Sequence, residues 1–197
     1  MDYFPWEHDL SDQSLAWLHE QIPDEFGDDF YKWRTGEPLA SWFPKDVTFN
    51  LSKDHGVKLA DSLPNTIGCL VVSEKLRLLL ASSGATVEFF PVKIRNHKRK
   101  VIPEKYHLAN VVGLIACTDK SRSDFDLSHI DGRVRRFRRL VLDDSKVPEG
   151  TRLFRLAELR ELHLVSYDLG IKIKREEKCT GLQLTYIQDY GKEWRGP

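Results

Sequence analysis

From Leu10 to Ile22 the apolar residues Leu15, Leu18 and Ile22 recur at helical spacing, with Ser11 placed to cap the run and Pro23 to close it. That spacing predicts a helix. A second, short helix is predicted over 24–33, where Phe26, Phe30 and Trp33 recur at four and three residues and the acids fall in the first turn, where the helix dipole favours them. The period then changes from helical to two, with Val47, Phe49 and Leu51 alternating as in a strand. The clearest unit is "CLVVSEKLRLLLASSGATVEFFPVKI", residues 69 to 94. Its apolar run ends at Ser73, whose hydroxyl can cap a helix with Leu76, Leu79 and Leu80 as the buried stripe. Gly84 stops that helix, and 87–94 is a second strand, held to an edge or bulge by Pro91, which has no amide proton for a ladder.

A fainter copy, "HLVSYDLGIKIKREEKCTGLQLTYI", follows at 163 to 187. One offset of ninety-three residues superposes Val72, Ser73 and Leu76 on Val165, Ser166 and Leu169, and two inserted residues bring Val87 and Phe89 onto Leu182 and Leu184. This is the pattern of an internal pseudo-repeat of strand-helix-strand units. Between the copies, 106–118, 138–144 and 151–159 read as further strands, joined by turn-rich stretches such as "KSRSDFDLSHIDG" and "DSKVPEG". Many strands with few, short helices predict an α/β or α+β domain built on a mixed sheet. The expected division is an acidic, aromatic-rich helical region over 1–65, packed on an α/β body over 66–197.

Composition refines this picture in two respects. With 197 residues, 41% of them hydrophobic, the chain can bury a genuine core. Its thirty Lys and Arg balance thirty Asp and Glu, but unevenly: the first thirty residues hold nine acids and no Lys or Arg, which leaves thirty bases against twenty-one acids elsewhere. The acidic start either lies against the basic body or faces a partner. Four tryptophans (Trp6, Trp17, Trp33, Trp42) also fall in the first 45 residues, where helical periodicity accounts for most of the aromatics as anchors on the core. Cys69, Cys117 and Cys179 are odd in number, with no CxxC pair, and read as reduced thiols. An acidic "MDYFPWEHDL" start and the lack of an apolar run of about 18 residues make a soluble, cytoplasmic protein the expectation.

Little in the chain points to catalysis. The seven histidines never fall in HExxH or HxH spacing, and there is no GxSxG elbow, GxGxxG turn or phosphate-binding loop of the Walker type. Neither a metal nor an organic cofactor is expected. The aspartates of "TDKSRSDFDLSHID" lack the spacing of a calcium loop and read as a solvated connection, with Arg122 paired locally. Two basic tracts remain, "KIRNHKRK" at 93–100 and "RVRRFRR" at 133–139. As a regular strand the second would place Arg135, Phe137 and Arg139 on one face and Val134, Arg136 and Arg138 on the other. Arginine on both faces excludes a simply buried strand and fits a charged edge, or an interface where guanidinium groups meet carboxylates.

The stretches "VVSEKLRLLL" with "VEFFPVKI", "YHLANVVGLIACTDKSRSDFD", "FRRLVLDDSKVPEGTRLFRLAELRELHLVS" and "TGLQLTYI" together resemble a bacterial family of polymorphic-toxin immunity proteins, the eleventh class. The resemblance runs from about residue 66 to 188. It implies a small α/β protein, encoded beside a secreted toxin, that protects its own cell by stoichiometric protein-protein binding and carries no catalytic motif. Arg135, Arg136, Phe137 and Arg138 are the candidate partner-binding residues, with pairing to the chain's own N-terminal acids as the competing explanation. The alternative function is a nucleic-acid-binding module using 93–105 and 133–139.

Overall fold

Sheets dominate the computed structural model, which describes residues 2–191, so residue 1 and residues 192–197 at the ends of the two expected regions lie outside the description. A four-stranded sheet has the order β2 (Thr48–Asn50), β4 (Val87–Arg95), β5 (Tyr106–Val111), β3 (Leu70–Ser73). A five-stranded sheet has the order β11 (Leu182–Leu184), β1 (Tyr3–His8), β10 (Leu159–Ser166), β9 (Leu153–Leu156), β6 (Leu114–Ile115). A separate two-stranded hairpin joins β7 (Asp124–Leu127) to β8 (Val134–Arg139). The fold is thus mixed α/β, with parallel and antiparallel pairings in both larger sheets.

The strand-helix-strand unit forms as its residues dictate. Ser73 ends β3 and its Oγ accepts from the Leu76 amide at 3.2 Å, opening α1 (Glu74–Ala81), whose Leu76, Leu79 and Leu80 are buried. Gly84 adopts φ +80 just beyond the helix, a conformation that costs glycine nothing. Pro91 lies on the half of β4 that has only β5 beside it, because β2 pairs with 93–95, so its missing amide costs no ladder bond.

The pseudo-repeat appears in the topology. In the first unit β3 and β4 are separated by β5, antiparallel to both. In the second, β10 and β11 flank β1 in the same way, with α2 (Tyr167–Ile171) as the crossover. Each is a split β-α-β. The two units sit in different sheets yet share one core, in which Leu76, Leu79 and Leu80 meet Trp6, Val165, Leu169 and Ile173. They differ at the cap. Ser166 makes no side-chain cap bond, and the helix it precedes widens into a π-helical turn at Lys172–Glu176.

Four readings are corrected. Residues 10–22 are not helical: Leu15 bridges Lys58 and Leu18 bridges Leu51, so the segment runs as irregular extended chain with Leu15, Ala16 and Leu18 buried. The reason is local competition, since the carboxylates of Asp9 and Asp12 capture the amides of Ser11 and Ser14, both at 3.0 Å, and turn the backbone where a helix would have begun. Tyr3–His8, read only as part of an aromatic-rich start, is the interior strand β1. It tolerates Pro5 because there it pairs with β10 alone; β11 takes over from Trp6. The loop over the Asp-rich stretch contains β7, and the strand expected over 138–144 lies instead at Val134–Arg139. The second predicted helix does form, as a 3-10 segment over Asp24–Arg34 broken at Gly27, where φ is +53. Its Phe26 gathers Trp33, Trp42, Phe43 and Phe49 around it, which turns most of the N-terminal aromatic load into core.

Candidate functional site

The arginine tract becomes β8, but its register with β7 is not regular. Asp126 opposes Arg136 and Leu127 opposes Val134, so Arg135 is an extra residue; Asp124 opposes Arg139 and Phe125 opposes Phe137, so Arg138 is another. Two bulges in six residues break the simple alternation. Phe137 turns inward, 3% exposed, onto Cys117, Leu140 and Leu156, while Arg135, Arg136, Arg138 and Arg139 all face solvent. The expected sharing of one face by Arg135, Phe137 and Arg139 is therefore corrected, and the bulges are the cause.

Arg136 Nε donates to Asp126 at 2.7 Å, and Arg138 forks across Asp126 and Asp124, the latter at 3.3 Å. The carboxylates that meet these arginines come from β7, not from the acidic first thirty residues. In that segment Asp12 reaches Lys58 and Asp29 reaches Lys32, both at 2.8 Å. The hydrogen bond from Arg136, with the charges of Arg138, Arg136 and Arg135, holds the Asp126 carboxyl below its ordinary range. Arg122 pairs locally with Asp119 at 2.5 Å, as its spacing suggested. Arg135 forms no ion pair among the described residues.

Arg135 instead lines an open groove of about 1190 Å³. One wall is the hairpin, with Phe125, Leu127 and Arg133; the other is the β9–β10 turn around Glu158 and Arg160, with Tyr31 and Arg34 from the 3-10 segment at one end. At the hairpin tip Ile130 is 98% exposed, and Leu127 and Tyr31 are each about half exposed. Exposed apolar side chains beside unpaired guanidinium groups are the composition of a protein-binding surface. Of the four residues singled out from the sequence, Arg135 alone lines the groove, Arg136 and Arg138 lie outside its lining in ion pairs with Asp126 and Asp124, and Phe137 anchors the hairpin that carries all three. Phe137→Leu is expected to cost about 1 kcal/mol, measured by urea unfolding, and to speed amide exchange in β7 and β8 ahead of the two larger sheets.

Sequence reasoning did not find the groove, because Tyr31, Leu127, Arg135 and Glu158 come together only through the hairpin and the β9–β10 turn. A string of exposed apolar residues in the Asp-rich stretch was the available signal. The other basic tract ends β4 and forms the turn into β5, on a different element from β8.

Elsewhere His8, Cys69 and His163 share the lining of a groove of about 330 Å³ with Glu7 and Glu161. All three cysteines are free and buried, and burial pushes their thiols up to about 12 for Cys69 and Cys117 and about 11 for Cys179, away from nucleophilic thiolate. Among the described residues no three His, Cys, Asp or Glu side chains are grouped to hold a metal ion, and no helix is long and apolar enough to cross a membrane. No curated protein matches the chain. The family model of the Immunity protein family (Imm11), however, matches residues 3–189, which takes in β1 and the N-terminal segment that the resemblance over 66–188 left outside, and the chain belongs to that family.

Proposed function

We propose that this protein neutralises a cognate bacterial toxin in the cytoplasm by forming a one-to-one complex, without catalysis, and that the groove beside β7 and β8 is the contact surface. Membership of an immunity family supports a toxin partner in general. The observation that carries the surface is the hairpin itself: it stands outside both large sheets and presents exposed Leu127 and Ile130 together with Arg135, which forms no ion pair among the described residues. Arg136 and Arg138 contribute differently. Their pairing with Asp126 and Asp124 fixes the hairpin's outer face and leaves part of each guanidinium free to accept a partner's carboxylate as well. Apolar anchors flanked by positive groups fit a partner segment that carries an acidic residue next to an apolar one.

Co-expression with the product of the neighbouring open reading frame, with growth rescue and light scattering of the purified complex, tests this reading. Arg135→Glu combined with Ile130→Asp, both at exposed positions, is expected to weaken the complex at least tenfold while leaving the melting temperature unchanged. A confirmed toxin that neither binds nor is neutralised would refute toxin binding. Unaltered affinity of the double variant would move the interface elsewhere.

A further inference from the structure

The tract "KIRNHKRK" has no part in the toxin-binding groove, and its geometry points to a ligand of its own. Past Arg95 the chain reverses in a tight turn: the Asn96 amide donates to the Lys100 carbonyl at 2.9 Å, and the Asn96 Oδ1 accepts from the Lys98 and Lys100 amides at 2.9 and 3.1 Å. Within it Arg99 is held at φ +59, a left-handed conformation that a residue with a side chain adopts at some cost and that recurs where a binding loop needs it. The turn forms one wall of a groove of about 420 Å³, and residues 50–54, following β2, form the other.

The charge in this groove is lopsided. Lys53, Arg95 and Arg99 line it against one acid, Asp54, and none of the three cations forms an ion pair among the described residues. Lys93, two residues before Arg95 on the same strand, does have its counterion, Asp46 at 2.8 Å. His97 also lines the groove, and both its ring nitrogens are buried without a hydrogen-bond partner. Native proteins leave few buried polar groups unpaired, and each costs about 1–3 kcal/mol unless something completes it. An imidazole beside three cations without ion pairs among the described residues, against the one acid Asp54, has the charge and donor groups to hold an anion. The volume lies within the range of small-ligand pockets, and Gln21 and Asn50 on the walls supply amide donors and acceptors beyond the charge.

We propose that this groove binds a phosphate-bearing small ligand, from inorganic phosphate up to a mononucleotide. An extended nucleic acid fits less well, because a polymer needs a continuous basic track and Arg136 and Arg138 of the second tract are already paired with Asp124 and Asp126. The site is independent of the toxin-binding reading and stands or falls without it.

Calorimetric titration of the full chain with inorganic phosphate and with AMP in 50 mM salt tests the assignment. Saturable one-to-one binding of at least one is expected, weakened tenfold or more by the exposed-residue variant Lys53→Gln/Arg99→Gln with an unchanged melting temperature. Tighter binding of AMP than phosphate would identify a nucleotide, and equal binding a bare phosphate group. No saturable binding of either, or undiminished binding by the variant, would overturn the site. So would a twenty-nucleotide single strand that binds far more tightly than AMP, with a salt dependence of many ion contacts, in favour of nucleic acid.

Discussion

Replacing Arg155 by Met is expected to destabilise the protein by about 3 kcal/mol, although a methionine fits the apolar surroundings and removes a buried charge. Arg155 is 2% exposed and forms no ion pair among the described residues. Its guanidinium donates to the carbonyls of Trp33 at 2.7 Å, Val111 at 2.8 Å and Arg160 at 3.1 Å, and reaches the Asn110 side chain at 3.4 Å. Asn110 passes the connection on, donating to Glu88 and to the Glu37 carbonyl, each at 2.9 Å, while Glu88 accepts the Leu39 amide at 2.7 Å. One cation thereby ties β9 to β5 and pins the segment 33–39 across both.

Two effects oppose each other in the substitution. Burial has pulled the Arg155 pKa from 12.5 to about 10, so removing the charge relieves roughly 3 kcal/mol. Against that, three carbonyls lose their donor in the interior, at about 1–3 kcal/mol each, or roughly 6 kcal/mol at mid-range. The hydrogen-bond loss wins, and a few kcal/mol is a large share of a typical domain's stability of about 5–15 kcal/mol. Urea unfolding measures the difference, and exchange of the amides in 33–39 locates it. A variant as stable as the parent would mean that water replaces the guanidinium at little cost. Because Arg34 and Thr35 line the groove from the segment Arg155 holds, the same variant is expected to weaken toxin binding.

Acid is expected to destabilise the fold well above the range in which carboxylates titrate. Burial lowers the His8 pKa from 6.5 to about 4, and burial followed by the charge of Arg155 takes His163 well below 6.5. His8 is neutral in the folded state at pH 5 and burial favours the neutral form of His163, whereas in the unfolded chain both are protonated there. The unfolded state thus binds more protons between pH 6.5 and about 4, so stability is full above the unfolded value and falls as the pH drops through that window. His8 alone contributes a loss of about 2 kcal/mol at pH 5, and His163, 3% exposed, adds to it. The shifted acids do not mask this: Asp12, Asp119 and Asp126 have pKa values lowered from 3.8, so their contributions are lost only below that pH. Urea midpoints at pH 7.5 and 5.0 test the prediction, and His8→Phe should flatten the difference. Equal midpoints in the parent protein would count against neutral buried imidazoles.

Short-range physics made part of this protein legible in one dimension. Ser73, its leucine stripe and Gly84 define a capped helix from bonds that close within a few residues, and Pro91 marks its strand as one-sided through a missing proton. The repeat at ninety-three residues was visible because the strand, helix and returning strand of each unit are contiguous in the chain, although β1, which splits the second unit, is not. The five-in-seven arginine tract was recognisable as a charged edge, because no buried strand carries arginine on both faces. What only the tertiary structure decided depends on partners far away in sequence. Tyr3–His8 becomes an interior strand because β10 and β11, more than 150 residues later, offer it two edges. The Leu15–Leu18 spacing fits a helix equally well, but Asp9 and Asp12 turn the backbone and the extended form finds bridges at Leu51 and Lys58. Arg155 reads like any arginine in a strand until the carbonyls of Trp33, Val111 and Arg160 surround it. The two bulges that turn Phe137 inward and Arg135 outward depend on the pairing of β7 with β8, a register that no period of two along β8 alone contains.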